Sequence, residues 1–314
     1  MQQEQESQLA SAVLMIRPVR FLSNPHTAAS NRFQTRTDLG EDQQQAIAAA
    51  EFDALATALQ ESGIRVCLFD DTEEPHTPDS IFPNNWISLH ADGTVVLYPM
   101  EAVNRRTERR PDIIESLGSE QGFLVREIVD LSAHENAGKY LEGTGSLVLD
   151  RAHRIAYACL SSRTSLEVLG DFAQRMAYEV VAFDAVDRDG FPIYHTNVVM
   201  NVGEKLAVVC AEAIARPQQR QAVLERLAST GHDVLLLNYD QLVAFAGNML
   251  ELRDQSGGRV VAMSRQAWDS LDNAQRARLE ENGRVVSVPI DHIEKHSGGS
   301  VRCMLAEIHL PARL

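Results

Sequence analysis

HTNVVMNVGEKLAVVC, residues 195 to 210, reads as an apolar alternating strand, a VGE turn and a second apolar strand, which is the pattern of a β-hairpin. The phrase returns along the chain. It reads NNWISLHADGTVVLYP from Asn84, EGTGSLVLDRAHRIAYAC from Glu142, GNMLELRDQSGGRVVAMS from Gly247 and GSVRCMLAEIHLP from Gly299. Starting at 84, 142, 195, 247 and 299, the five junctions are spaced by 58, 53, 52 and 52 residues. Four are hairpins, and the fifth runs toward the C-terminus. Between them lie stretches with apolar residues at helical spacing: 42 to 62, 164 to 177, 217 to 231 with Gly231 as C-cap, and 269 to 282. Evenly spaced repeats of this length indicate one supersecondary unit per period. The expected fold is α/β, with five modules of one helix plus three short strands. Placed around an axis they form a five-bladed α/β propeller, whose ligand site lies where equivalent junctions converge.

Composition narrows the function classes. With 314 residues, 44% of them hydrophobic, the chain can bury a sizeable core. We expect a flexible N-terminal tail over 1–12 and a single catalytic domain over 13–314. No apolar run approaches the roughly 20 residues that span a bilayer, and the opening MQQEQESQLASA lacks the basic-then-apolar order of a secretory signal, so a cytoplasmic protein without membrane partners is expected. A net charge of −15 repels phosphates and argues against nucleic acid as a partner. Cys67, Cys159, Cys210 and Cys303 are widely separated with no CxxC pair, which points neither to disulfides nor to a zinc site. His292 and His296 share helical metal spacing, but no third ligand is evident and a glycine-rich stretch follows, so a loop is the reading and no metal is expected. The sequence leaves a homo-oligomer open.

If the modules are equivalent, residues at the same phase meet although they are some fifty positions apart. These are Asn84 or Asn85, Glu142, His195, Gly247 with Asn248, and Gly299 followed by Cys303. Taken singly, a cysteine in an apolar strand is more often inert core than nucleophile, and a lone histidine is more often a surface or satisfied core residue. Their shared phase promotes them together. A thiol attacking a planar carbon needs a base to ionise it and an acid for the departing nitrogen. A histidine serves both needs, and a carboxylate fixes its tautomer. No organic cofactor is required by such chemistry.

These residues carry a family resemblance. MIRPVRFLSNPHTAASNRFQ, FPNNW, LEGTGS, SSRTS, YHTNVVMN and GGSVRCM, from Met15 to Met304, resemble the guanidino-group-modifying superfamily, the penteins. That group includes arginine deiminases, dimethylarginine hydrolases and amidinotransferases, and the chain looks most like the citrulline utilisation hydrolases. The resemblance implies a five-bladed α/β propeller fold. By position it makes Cys303 the nucleophile, His195 the general acid and base, and Glu142 the carboxylate that orients the histidine. It also implies that Arg163 binds a substrate carboxylate, that Arg105 or Arg106 lies near a second such arginine, and that Asp79 contacts an α-amino end.

Two positions depart from the deiminase pattern, which has aspartates where this chain has Asn85 and Asn197. Paired carboxylates suit a cationic guanidinium, whereas a neutral ureido group offers N–H donors and a carbonyl acceptor, which amides can match. Burying two carboxylates against a neutral ligand costs several kcal/mol. The expectation is therefore hydrolysis of the ureido group of citrulline, a small amino-acid substrate, to ornithine, ammonia and carbon dioxide. The alternatives are a deiminase-like or amidinotransferase-like enzyme on a guanidino substrate and, more distantly, a non-catalytic propeller that binds a partner, as related initiation factors do.

Overall fold

A computed structural model describes residues 6–35 and 37–313. The strands β1 (Ala12–Arg17) and β2 (Arg65–Asp70) are followed by β3 to β5 (Ile87–Leu89, Thr94–Leu97, Glu127–Asp130) and β6 to β8 (Val148–Asp150, Ile155–Cys159, Glu179–Phe183). Next come β9 to β11 (Met200–Val202, Leu206–Val209, Asp233–Leu236), β12 to β14 (Leu250–Arg253, Arg259–Ser264, Arg284–Val288) and finally β15 (Ala306–Ile308). They fall into five triplets of one pattern, an antiparallel pair whose second strand pairs in parallel with a third: β15-β1-β2, β3-β4-β5, β6-β7-β8, β9-β10-β11 and β12-β13-β14; in all but the first the antiparallel pair is a hairpin. A parallel pair needs a crossover, and a helix supplies it each time. The crossovers are Glu41–Glu61, Pro111–Ser119, Leu166–Met176, Pro217–Ser229 and Asn273–Asn282.

The α/β class read from sequence is the one observed. The sheets, however, number four rather than five, because β15 also pairs in parallel with β3 at Ile308↔Leu89 and fuses two triplets into the six-stranded order β2-β1-β15-β3-β4-β5. The longest helix buries one stripe. In Glu41–Glu61 the buried residues include Ala48, Phe52, Leu55 and Leu59, spaced by three or four, and full burial of Phe52 or Leu55 contributes about 2 kcal/mol.

Several expectations are corrected. Residues 6–12 are not a loose tail: Glu6, Gln8, Leu9, Ala10 and Ala12 are buried. Gln8 Nε2 donates to Leu149 O and Val202 O, while its Oε1 accepts from Arg151 N, so this polar segment is held by backbone groups distant in sequence. Residues 1–5 of the expected tail lie outside the described residues. The stretch 269–282 is two helices, Arg265–Ser270 and Asn273–Asn282, because Asp272 starts a new helix in a reciprocal cap with Gln275. Asp291–Ser297, read as loop, is a helix whose first turn is satisfied by a distant residue: Glu51 accepts from His292 N and Ile293 N. Among the described residues no helix is long and apolar enough to cross a membrane.

Candidate active site

Each triplet is entered through a junction, and four of the five junctions coil into a single turn: Pro83–Asn85, Gly143–Ser146, Thr196–Val199 and Val301–Met304. The turns pack against one another at close range. A Cβ on Gly143, whose φ is +46°, would stand 2.2 Å from Asn84 O, and one on Gly145 would stand 2.6 Å from His195 Nδ1 and from Asn85 Nδ2. Only glycine admits that approach, which is why EGTGS takes the form it does. The turns bring Asn85, His195 and Cys303 to one cavity, with Asp79, Arg105, Arg163 and Tyr194 also in its wall.

At its centre, Glu142 is fully buried and its Oε2 lies 2.9 Å from His195 Nε2. Burial alone would raise this carboxyl, but Arg163, His195 and Arg105 outweigh it and hold it far below the usual carboxylate range. An ionised carboxylate only accepts, so the imidazole proton sits on Nε2 and Nδ1 keeps the lone pair. Burial lowers the imidazole from 6.5 to about 4 against the pull of Glu142, so it is neutral near pH 7.

A pH dependence follows. A catalytic base must be unprotonated, so kcat/KM should hold down to pH 5 and fall as pH drops through about 4, rather than near the ordinary 6.5. Between those values the unfolded imidazole binds a proton that the folded one refuses, so the folded state also loses stability as pH falls across this window. His90, lowered by burial and then by Arg151, acts in the same direction. Rate profiles and melting curves from about pH 3 to 8 check both. An acid limb at 6.5 would mean that His195 is not the controlling base.

Cys303 sits in the last turn, 3% exposed, with its amide donating to Ser300 O. Two neutral amides donate to its sulfur, Asn197 Nδ2 at 3.4 Å and Asn248 Nδ2 at 3.3 Å. Asn248 is locked in turn, giving a second Nδ2 contact to Asn197 O and accepting from Arg302 N. It stands at the fourth junction, so its phase was the signal that placed it among the converging residues, although chemistry assigned it no part. The other cysteines are core: burial pushes Cys159 and Cys210 up to about 12 and raises Cys67.

The remaining candidates separate by their partners. Asp79 Oδ2 accepts from Asn24 Nδ2 at 2.7 Å, while its Oδ1 is buried without a hydrogen-bond partner, as is Asn197 Oδ1. Arg163 donates to Ser30 Oγ and Thr27 O, reaches Glu142 at 3.4 Å and lies over the Tyr194 ring. Arg105 makes a bidentate pair with Glu108 and donates to Asn85 Oδ1 at 2.8 Å. Burial opposes its charge, but Glu108, Asp79 and Glu142 outweigh that and keep it cationic. Arg106 is not brought to the cavity; it donates to Met100 O and pairs with Glu135. Sequence reading did not select Tyr194 or Asn31, which help close the site. Tyr194 Oη donates to Gly298 O and Asn31 Nδ2 to Ser297 O at 2.9 Å. The cavity they leave measures about 10 Å³, room for at most one water. The 24–31 segment, through Thr27 and Asn31, covers this cavity against Ser297–Gly299, and a ligand the size of an amino acid needs more room than this packing leaves.

This fold, with a thiol, a carboxylate-bound imidazole and buried arginines gathered at its junctions, defines a member of the guanidino-group-modifying pentein superfamily. The chain belongs to the family described as N,N dimethylarginine dimethylhydrolase, eukaryotic, whose family model matches residues 17–310. Among solved structures it is similar to an arginine dihydrolase from the ornithine-ammonia cycle in cyanobacteria, with 18% identity, a TM-score of 0.73 and coverage of 96% of this chain and 41% of that one. The chain thus spans less than half the length of that relative. The N-terminal domain of the same enzyme, bound to substrate, gives 19% identity, a TM-score of 0.73 and coverage of 96% and 99%. A dimethylarginine hydrolase from Pseudomonas aeruginosa, complexed with citrulline, gives 17% identity, a TM-score of 0.63 and coverage of 95% and 99%. At these identities the structural likeness is one of fold. Comparison with curated protein sequences returns no match.

Proposed function

We propose that the chain is a cysteine-dependent hydrolase of a non-peptide C–N bond that converts citrulline and water to ornithine, ammonia and carbon dioxide. We also read its five strand triplets as blades of one catalytic propeller domain that takes in the packed residues 6–12 as well, and its four free cysteines as consistent with the cytoplasm. The observation that carries the substrate reading is the pair of neutral amides on the sulfur, with Asn197 Oδ1 left as an uncharged acceptor for a ureido N–H. His195 takes the Cys303 proton, the thiolate adds to the ureido carbon, and the collapsing adduct expels one nitrogen as His195 returns the proton. A carbamoyl thioester remains. Water activated by His195 cleaves its C–S bond, regenerating the thiol and releasing a carbamate that decarboxylates. Asp79 Oδ1 supplies the acceptor for the α-ammonium group, and Arg163 exchanges Ser30 and Thr27 for the α-carboxylate when the covering segment moves. In this scheme Arg105 works through Asn85 and Glu142.

A guanidino substrate is the second reading, favoured by the unpartnered Asp79 oxygen in the cavity wall and by family membership. Turnover of citrulline, arginine, agmatine and methylated arginines, with amino-acid products and ammonia identified, decides between them. The amides offer a sharper test. In a Cys303→Ala background, the double change Asn85→Asp with Asn197→Asp should shift the arginine-to-citrulline affinity ratio toward arginine by about tenfold or more, because it adds one anion at position 197 and a second that Arg105 neutralises only in part. Wild-type amides that already favour arginine, with no change in the ratio on substitution, would sink the ureido reading.

A further inference from the structure

A larger cleft is lined by Arg32 and Phe33, the residues that follow the covering segment in the chain. It measures about 570 Å³, a size typical of small-molecule sites, and nothing in the chemistry above uses it. Its floor is apolar, with Phe33, Leu242 and Phe245, the exposed Val243 stands at its mouth, and the Phe33 and Phe245 rings meet at a tilt with centroids 5.2 Å apart. Part of the charge around it is matched, while Asp291 and Lys295 also line it and make no ion pair among the described residues. Arg32 pairs with Asp187 and Asp189, and Arg188 with Asp240. Glu294 is different. It stands in the cleft wall at 3% exposure, its Oε1 accepts from Ser300 Oγ at 2.5 Å, and its Oε2 is buried with no hydrogen-bond partner.

A buried carboxylate oxygen without a donor has lost its water without a replacement, and cores rarely retain one without a use. Burial accordingly pushes the Glu294 carboxyl up to about 7, with the Ser300 hydroxyl drawing it back only in part. The missing group is a donor, and one bearing positive charge would also restore the ionised form. An apolar floor ending at such a carboxylate matches a chain that is aliphatic along its length and cationic at its tip.

We propose that this cleft is a second small-molecule site, taking a primary alkylammonium ligand whose chain lies on Phe33, Leu242 and Phe245 and whose ammonium group meets Glu294. The occupant then sits one hydrogen bond from Ser300, whose carbonyl holds the Cys303 amide, while remaining outside the catalytic cavity.

The probe is n-pentylammonium, which has no ureido or guanidino group to be turned over. Calorimetric titration into the full chain should give a Kd of about 1 mM or tighter, as expected of so few heavy atoms. Glu294→Gln keeps the shape and removes the charge, and should weaken binding at least tenfold. Asp79→Asn removes the unpartnered acid of the catalytic cavity and should leave binding unchanged. Val243→Trp, at a cleft position 56% exposed and so tolerant of substitution, should abolish binding by filling the mouth, and it carries the test if Glu294→Gln does not fold. The proposal is overturned by absence of binding at about 10 mM. It is equally overturned by unchanged binding in Glu294→Gln or Val243→Trp, or by loss in Asp79→Asn, which would put the cation in the catalytic cavity.

Discussion

Replacing Cys303 by alanine is expected to reduce turnover by at least about 10⁴-fold while the protein remains folded. The sulfur is the atom that would join to substrate carbon, and neither Asn197 nor Asn248, which hold it, can take its place. The structural cost is modest: one atom is lost from a turn whose backbone is anchored by Ser300 O and by Asn248 Oδ1 on the neighbouring Arg302 amide. Steady-state assays beside near-ultraviolet circular dichroism check both halves. Turnover within tenfold of wild type would remove covalent catalysis from the scheme. Brief alkylation followed by peptide mapping should mark Cys303 ahead of Cys67, Cys159 and Cys210, since those three thiols are held protonated by burial and line no cavity described above.

The second large effect is expected for Glu142→Gln, with kcat falling by about 10³- to 10⁴-fold and KM changing far less. Glu142 accepts from the imidazole and from Glu101 N, and it lies between two arginines. An amide there no longer obliges the ring proton to sit on Nε2, and it leaves Arg105 and Arg163 with one anion fewer in a buried setting. The second consequence is a stability cost of about 3 kcal/mol, because unmatched buried charge is expensive. Thermal melting separates the two. If the variant loses stability but keeps kcat, Glu142 serves the fold and not the imidazole.

The α/β class and the repeat were legible because turn-forming residues punctuate apolar strands at an even period, and both signals are local. The converging set was legible for the same reason: Glu142, His195, Asn248 and Cys303 occupy one phase of that period. What sequence withheld is held by distant partners. Glu51 secures the first turn of Asp291–Ser297 from 240 residues away, and Gln8 ties down the segment read as a tail. Arg105 and Arg106 are indistinguishable neighbours in the chain. A 3₁₀ turn over Val103–Glu108 sends one guanidinium inward to Asn85 and the other to Glu135. The cover escaped notice because Tyr194 and Asn31 act through backbone carbonyls of Ser297 and Gly298, which no side-chain motif announces.

The placement of β15 bears on how the protein is made. Its three residues lie between β1 and β3, pairing with Ala12–Leu14 on one side and Leu89 on the other. A ribosome delivers those two neighbours more than two hundred residues before it delivers their partner. Until then both strands present open edges, which are templates for wrong pairing with other nascent chains. Such long-range contacts also make for slow folding. The thiol emerges only three residues ahead of β15, so the nucleophile and the strand that completes the sheet leave the ribosome together, and a partly synthesised chain carries no reactive Cys303 to be spent on the wrong target.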